Sequence, residues 1–546
     1  MDSSWVLYSI LAILRICCCF SRGYIHPDEF FQGGQELFYG SVIPWEFEPD
    51  NAIRSIVPPL FMTRLPMSIY VTIFGKEVGG WEVFIVPRLF MCLLSFLAFD
   101  FMMWTVSSVG ATSITPEHQR RSKVPTEVLV LASSWPLLIF GCRPFTNTLE
   151  SMVLSCLMTL VILTGPSSAA TGCRFDILAG VLCSVGFFTR FTFVFYAFPV
   201  IVSMLTSRWR DKGNFDDSSA YSSVISCLMN LAVGFLLCSF GFMLADTYYY
   251  MNETGESLSS LTDVVNTMSS KIAPLNALIY NSNLNNLSDH GLHSRVTHSL
   301  VNMPMLFGTL AVSFYIGVGS SLSNPNFSLC RQSIVFGLAF LSSAPHQEPR
   351  FLLPIIFPVI LIHARSITSK RFLVYFWAVF NLCLLIFFSA LHQAGVVPSV
   401  LGNRNFLTNQ GSELSLSPTP LIYYHTYMPP TFLSVIRSSN ESSILNYIID
   451  LKGSSQEKLT VVLEEHFLQC SKHKRQRKHQ TVNIVTQPYL LSKEWIYRND
   501  FDLIQLSSYW PHLSTENFPP FTGDLLSFVA SMELVQYEVL CSSLLK

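Results

Sequence analysis

A chain of 546 residues in which 50% are hydrophobic, only 13% are charged and 44 are Phe, with a mean hydropathy of +0.40, is not the chain of a free soluble protein; soluble domains carry roughly 25% charged residues. The formal net charge of −2 gives no argument for nucleic-acid binding, which needs positive charge gathered on one face. Most of the 14 cysteines, including Cys17-Cys18-Cys19, lie in apolar stretches without CxxC spacing, which sets zinc aside and favours buried thiols.

About twenty apolar residues cross a bilayer as a helix, and about eleven candidate runs are predicted. In chain order they are 5–20, 83–106, 124–141, 149–164, 177–188, 191–205, 221–245, 300–319, 334–344, 351–362 and 372–391, several of them shorter than a full span. The first is read as an uncleaved helix, because Met1-Asp2-Ser3-Ser4 lacks the basic start of a signal peptide. The expected fold class is therefore an α-helical polytopic membrane domain over 1–391, followed by a small mixed α/β domain over 392–546. In that tail, Leu459-Thr460-Val461-Val462-Leu463 and Thr481-Val482-Asn483-Ile484-Val485 have the composition of short strands. The basic run 472–479 between them is read as a solvated loop, with anionic headgroups as the alternative partner. Cys470 and Cys541 would pair if the tail faces an oxidising lumen. No internal repeat is found.

Basic residues set the orientation, since cytosolic loops hold the excess of Lys and Arg. Starting the chain in the cytosol puts Arg120-Arg121-Ser122-Lys123, Arg208-Trp209-Arg210-Asp211-Lys212 and Arg365 with Lys370-Arg371 on that side. The loop after the first helix, the loop after Ala245 and the tail then face the lumen. The sequons at Asn252, Asn286 and Asn440 fall on the luminal side, and the one at Asn326 does not.

The strongest chemical signal is Gly23-Tyr24-Ile25-His26-Pro27-Asp28-Glu29-Phe30-Phe31-Gln32, where two carboxylates follow directly on the first apolar run. Charge at that depth is expensive and points to function. The plainer alternative is a helix start: Pro27 suits a first turn, and Asp28 and Glu29 would face the positive end of the helix dipole. Successive helical residues point about 100° apart, so the two carboxylates cannot act on one small target together. One acts and the other supports.

Other polar clusters fall at predicted luminal helix ends: Arg143-Pro144-Phe145-Thr146-Asn147, Thr189-Arg190, His290-Gly291-Leu292-His293-Ser294-Arg295 and His346-Gln347-Glu348-Pro349-Arg350. Singly, each reads as a snorkelling or helix-end group. Together they describe a carboxylate among cations, which suits a base that activates a hydroxyl while arginine or histidine receives a phosphate leaving group. That is glycosyl transfer from a lipid phosphate sugar.

His26-Pro27-Asp28-Glu29, His346-Gln347-Glu348-Pro349-Arg350-Phe351-Leu352 and Trp510-Pro511-His512-Leu513-Ser514-Thr515-Glu516 resemble, in order and separation, the motifs of the dolichol-phosphate-mannose-dependent mannosyltransferases of glycosyltransferase family 22. Phe30-Phe31-Gln32, Pro44-Trp45-Glu46-Phe47 with Arg54-Ser55, Phe145-Thr146-Asn147-Thr148-Leu149-Glu150 and the segment 286–293 add to the likeness, which spans the body but is weak in the tail. The resemblance implies a GT-C architecture in the endoplasmic reticulum membrane with a luminal active site. It further implies transfer of mannose from dolichyl phosphate mannose to the third mannose of a GPI precursor in α-1,2 linkage, with inversion and a single base. Asp28 is then the base and Glu29 its support. Arg350, His346 and Arg190 receive the donor phosphate, and Arg54, Arg143 and His293 contact the acceptor. No metal or other cofactor is implied; the lipid-linked donor is a substrate. Three rivals remain: a member of the same family with another acceptor, against which the 290–293 loop argues; a transporter, for which paired halves are missing; and a non-catalytic scaffold.

Overall fold

The computed structural model describes residues 2–541 except 41, 76–77, 111–122, 165–171, 214–216, 255–260, 289–290, 320–323, 410–419, 438–441, 445–446, 473–481, 499–500 and 522. Arg120-Arg121-Ser122, His290, Asn440 and the basic stretch 473–479 lie outside the described residues, as do the side chains of Cys470 and Cys541.

Among the described residues, six helical segments are long and apolar enough to cross a bilayer: Val57–Phe74, Gly80–Ser108, Thr146–Leu163, Ser218–Glu253, Pro349–Thr368 and Arg371–Leu391. Ser3–Cys18 is a shorter apolar helix. The chain is thus a multi-helix membrane protein, since a run of this length with every backbone group bonded internally is what lipid tolerates. The apolar pattern alone does not predict Val57–Phe74, because Pro58, Pro59, Arg64 and Pro66 interrupt it. Pro58 and Pro59 fall in its first turn, where the missing N–H is no loss. Other predicted spans are broken. Run 124–141 becomes Thr126–Ala132 and Trp135–Phe140, separated at Ser133–Ser134, and the freed Trp135 N–H donates to Asn381 Oδ1 at 2.7 Å. Run 351–362 starts inside a 3-10 turn, Pro349–Ile355, before the α-helix Ile356–Thr368.

The chain forms two compact units: residues 1–19, 44–62 and 88–383 make the first, and residues 20–43, 63–87 and 384–546 the second. In the first unit, Thr146–Leu163 is the central helix, with 83% of its apolar stretch buried, against 22% for Ser218–Glu253. The leucines and phenylalanines left outward on the latter are tolerated because lipid covers them. Helices Cys173–Thr189 and Asp217–Thr254 approach so closely that a Cβ on Gly180 would lie 2.0 Å from Leu231 O, and one on Gly234 2.0 Å from Ile177 O. Small residues at such crossings let backbones touch where no hydrophobic effect drives association. Arg15 of the first helix is fully buried and paired in a fork with Asp100, at 3.0 and 3.1 Å, which Tyr8 also bonds at 2.7 Å.

The second unit is built on strands Pro420–Tyr423 (β1), Val435–Arg437 (β2), Ser442–Ile444 (β3), Tyr447–Asp450 (β4), Val482–Thr486 (β5), Phe501–Tyr509 (β6) and Leu534–Cys541 (β7). Five of them form a mixed sheet in the order β4-β1-β5-β7-β6, while β2 and β3 pair as a separate antiparallel ribbon. β1 runs parallel to β4 and β5, with Ile422 opposite Ile449 and Ile484, and β7 is antiparallel to β5 and β6. Period-two alternation gives the sheet two buried faces. Leu421, Tyr423 and Val485 pack with Tyr24, Phe30, Phe84 and Val396. Ile422, Val482 and Ile484 pack with Leu459, Leu463 and Trp495. The strand expected at 459–463 is therefore wrong: these residues lie in helix Gln456–Lys472, because Leu459 and Leu463, four apart, share the face that meets the sheet while Val461 points outward. The strand expected at 481–485 corresponds to β5, Val482–Thr486, with Thr481 outside the described residues.

Candidate functional site

In the second unit, Pro27 caps the short helix Asp28–Phe31, so both carboxylates sit in its first turn. Phe30 fixes the turn: its ring lies 4.9 Å from Tyr24, 5.9 Å from Phe84 and 5.5 Å from Phe432. The 100° step then separates the acids. Glu29 is fully buried, whereas the Asp28 side chain is 18% exposed. The Asp28 N–H donates to His26 Nδ1 at 3.2 Å, so a neutral His26 carries its proton on Nε2. The same Nδ1 lies 3.4 Å from Asp28 Oδ1.

This segment is tied to the third motif. Gly23 N–H donates to Ser389 O at 2.8 Å and Tyr24 N–H to His392 O at 2.9 Å, while His392 Nδ1 meets Tyr24 O at 2.8 Å. On its other side His392 Nε2 lies 3.3 Å from Thr515 Oγ1, and Leu513 exchanges backbone bonds of 2.9 Å with Leu391 and Gln393. His512 is buried, and burial, with His392 nearby, pushes its imidazole down to about 3; neutral, its Nδ1 accepts the Gly395 N–H at 3.2 Å. The Trp510–Glu516 motif thus straps the end of the last apolar helix to the segment that carries Asp28.

Glu36 is an acid that sequence reasoning passed over. Burial raises its carboxyl to about 7, although the Thr431 hydroxyl and the Phe432 N–H, at 3.3 Å, both donate to it. Its one sequence signal is position, between the first two apolar segments.

In the first unit, the second motif folds on itself. Glu348 takes His346 Nε2 on one oxygen at 2.8 Å and Arg350 Nε on the other. His346 Nδ1 reaches Gly291 O at 3.1 Å, and its ring lies 6.0 Å from His293. Burial disfavours the charged imidazole, but Glu348 and the Gly291 carbonyl outweigh it and hold His346 above its usual pKa. Gln347 stiffens the turn, accepting the His298 N–H at 2.8 Å and donating to three carbonyls. Phe351, its carbonyl held by Tyr196 Oη at 2.6 Å, carries two guanidiniums: Arg190 at 5.2 Å and Arg350 at 5.6 Å from the ring centroid. Four of the predicted residues, Arg350, His346, Arg190 and His293, are therefore brought together.

Arg190 is held from behind. Its Nε lies 3.5 Å from Glu150 Oε2, Nη1 donates to Thr146 Oγ1 at 3.1 Å, and Thr192 Oγ1 donates to Glu150 Oε1 at 2.8 Å. Glu150, Thr146 and Thr192 were given no role from sequence; a lone acid inside an apolar run was the available signal. Arg54 pairs with Glu46 at 3.0 Å, and its carbonyl accepts Tyr250 Oη at 2.6 Å. Asp246, on the same helix as Tyr250, accepts Ser55 Oγ and Ile56 N–H, each at 2.8 Å, so this helix clamps the loop that presents Arg54. Arg143 is fully buried in the turn between Phe140 and Phe145. Asp28 and Glu29 belong to the other unit. Among the described residues, no three His, Cys, Asp or Glu side chains are grouped to hold a metal ion.

A multi-helix membrane protein with two arginines and a histidine on one aromatic platform has the equipment to hold a phosphate-like anion. Residues 6–428 match the Alg9-like mannosyltransferase family, and the chain belongs to it. It is similar to GPI mannosyltransferase 4 of Emericella nidulans, 28% identical with 93% of this chain and 92% of that one covered. It is also similar to GPI alpha-1,2-mannosyltransferase 4 of Homo sapiens, 29% identical with 78% and 76% covered. Among solved structures, ArnT from Cupriavidus metallidurans bound to undecaprenyl phosphate is similar over 98% of both chains, at 12% identity and a TM-score of 0.44.

Proposed function

We propose that this chain transfers mannose from dolichyl phosphate mannose to the third mannose of a GPI-anchor precursor, forming an α-1,2 linkage in the lumen of the endoplasmic reticulum. The reading extends to a GT-C architecture of about eleven spans over 1–391, with 392–546 as a luminal domain. The observation that carries it is the Arg190–Phe351–Arg350 platform with His346 beside it; mannose, the α-1,2 linkage and GPI follow the relatives, and the donor and the third-mannose acceptor follow the motif resemblance. Asp28 takes the proton of the acceptor hydroxyl as its oxygen attacks the anomeric carbon. The bond from that carbon to the phosphate oxygen breaks on the opposite face, which inverts the centre, and dolichyl phosphate leaves with the new negative charge. Arg350, His346 and Arg190 compensate that charge, which is larger in the transition state than in the bound donor. Glu29, enclosed behind Asp28, orients the turn. Arg54 and His293 are assigned to the acceptor headgroup, and Arg143 acts through the turn that carries it. No metal or cofactor takes part in this reading.

The test is lipid analysis of cells lacking the chain. The three-mannose GPI species should accumulate and disappear on re-expression of the intact protein; a normal set of GPI intermediates in those cells rejects the proposal.

A further inference from the structure

The second unit carries an apolar face that its own core does not use. The short helix Leu525–Ala530 begins at Asp524, whose carboxylate accepts the N–H groups of Leu526 at 3.3 Å and Ser527 at 2.9 Å. Leu525, Leu526 and Val529 fall on one side of that helix, with Leu525 68% and Leu526 79% exposed. Phe521, 67% exposed, lies 5.8 Å from Phe528, and Trp510, 60% exposed, donates its indole N–H to Val529 O at 3.0 Å. These groups are therefore one contiguous surface rather than scattered side chains. Continuous exposed apolar surface of this kind marks a contact with protein or lipid.

What covers it follows from its neighbours. Trp510 and Pro511 line a cavity of about 480 Å³ whose other walls include Phe20, Arg22, Ser389 and Ala390. Ser389 and Ala390 end the apolar helix Arg371–Leu391. The Gly23 N–H to Ser389 O bond holds the 20–24 segment against that helix end. Trp510 thus stands beside the end of that apolar helix, which is where hydrocarbon gives way to headgroups and where Trp is enriched. Arg22, exposed in the same cavity, has the reach and charge to meet a lipid phosphate there. Asp524 and Ser527, polar and exposed, cap the helix on the side away from its leucines. A partly apolar helix with a polar flank lies in an interface and does not span it.

We propose that Trp510, Phe521 and the helix Leu525–Ala530 rest in the headgroup layer of the membrane, with Arg22 at the depth of the lipid phosphates, so that the sheet-bearing part of the second unit contacts lipid as well as its apolar helices. The inference stands without the transferase reading. It is tested in the full chain in native membranes by placing a photo-crosslinking benzoylphenylalanine at Leu526 and, separately, at Lys458, an exposed residue on Gln456–Lys472. Position 526 should capture phospholipid with at least about tenfold the yield of position 458, and Leu525→Asp in the same chain should reduce that yield several-fold. Capture of a polypeptide at 526, or lipid capture no greater than at 458, overturns the proposal. Should Leu525→Asp prevent folding, the comparison of the two positions still decides.

Discussion

Glu150→Gln tests the support behind Arg190. The substitution keeps the shape and one acceptor for the Thr192 hydroxyl, now 2.8 Å away, but removes the charge that lies 3.5 Å from Arg190 Nε. Both side chains are enclosed, at 0% and 7% exposure, so water cannot replace what is lost. Breaking one partner of a buried pair costs about 3–5 kcal/mol, whereas removing both charges is close to neutral. For a chain of this size each kcal/mol corresponds to about 1–2 °C, which puts the fall in the unfolding midpoint at about 3–10 °C. Purified wild type, Glu150→Gln, Arg190→Met and the double variant would be compared by thermal unfolding in lipid nanodiscs and by mannose transfer from the lipid donor. The single variants should lose stability, and the double variant should regain most of it while remaining poor in transfer, because the phosphate still lacks Arg190. If Glu150→Gln unfolds within about 0.5 kcal/mol of wild type, the ion pair is not what holds Arg190. If the double variant transfers mannose normally, Arg190 does not serve the donor.

Asp28→Asn keeps size and removes basicity; transfer should fall by at least about 10³-fold with normal abundance and insertion, and near-normal turnover in microsomes rejects Asp28 as base. Arg350→Ala should raise KM for the lipid donor or lower kcat while leaving acceptor binding unchanged, and an effect confined to the acceptor overturns its assignment. The Glu36 carboxyl, near 7 when folded and near 4.5 when unfolded, binds its proton more tightly in the native state, so stability should decline as pH rises from about 4.5 to 7 by at most about 3 kcal/mol. Glu36→Gln should remove that slope; an unchanged pH profile by thermal unfolding contradicts it. Gly180→Val would push a side chain into Leu231 O, 2.0 Å from where its Cβ falls. It should cost at least about 1–3 kcal/mol, read as loss of monodisperse protein in size-exclusion chromatography.

The sequence by itself determined the membrane class, because low charge and long apolar runs are local properties of the chain. It also exposed each motif, since charge beside apolar sequence stands out one residue at a time. Periodicity misled at 459–463, where a β-branched run was short enough to fit a strand and only the sheet beneath Leu459 and Leu463 selected the helix. Tertiary structure alone decided what each motif residue touches. Glu150 and Arg190 are forty residues apart and Tyr24 and His392 are separated by 368, so no local pattern could reveal that one carboxylate holds the arginine or that the third motif straps the segment bearing Asp28. The same holds for the two units, each assembled from three separate stretches of chain. Those contacts depend on which apolar faces find each other, and that is a property of packing across the whole chain rather than of any one segment.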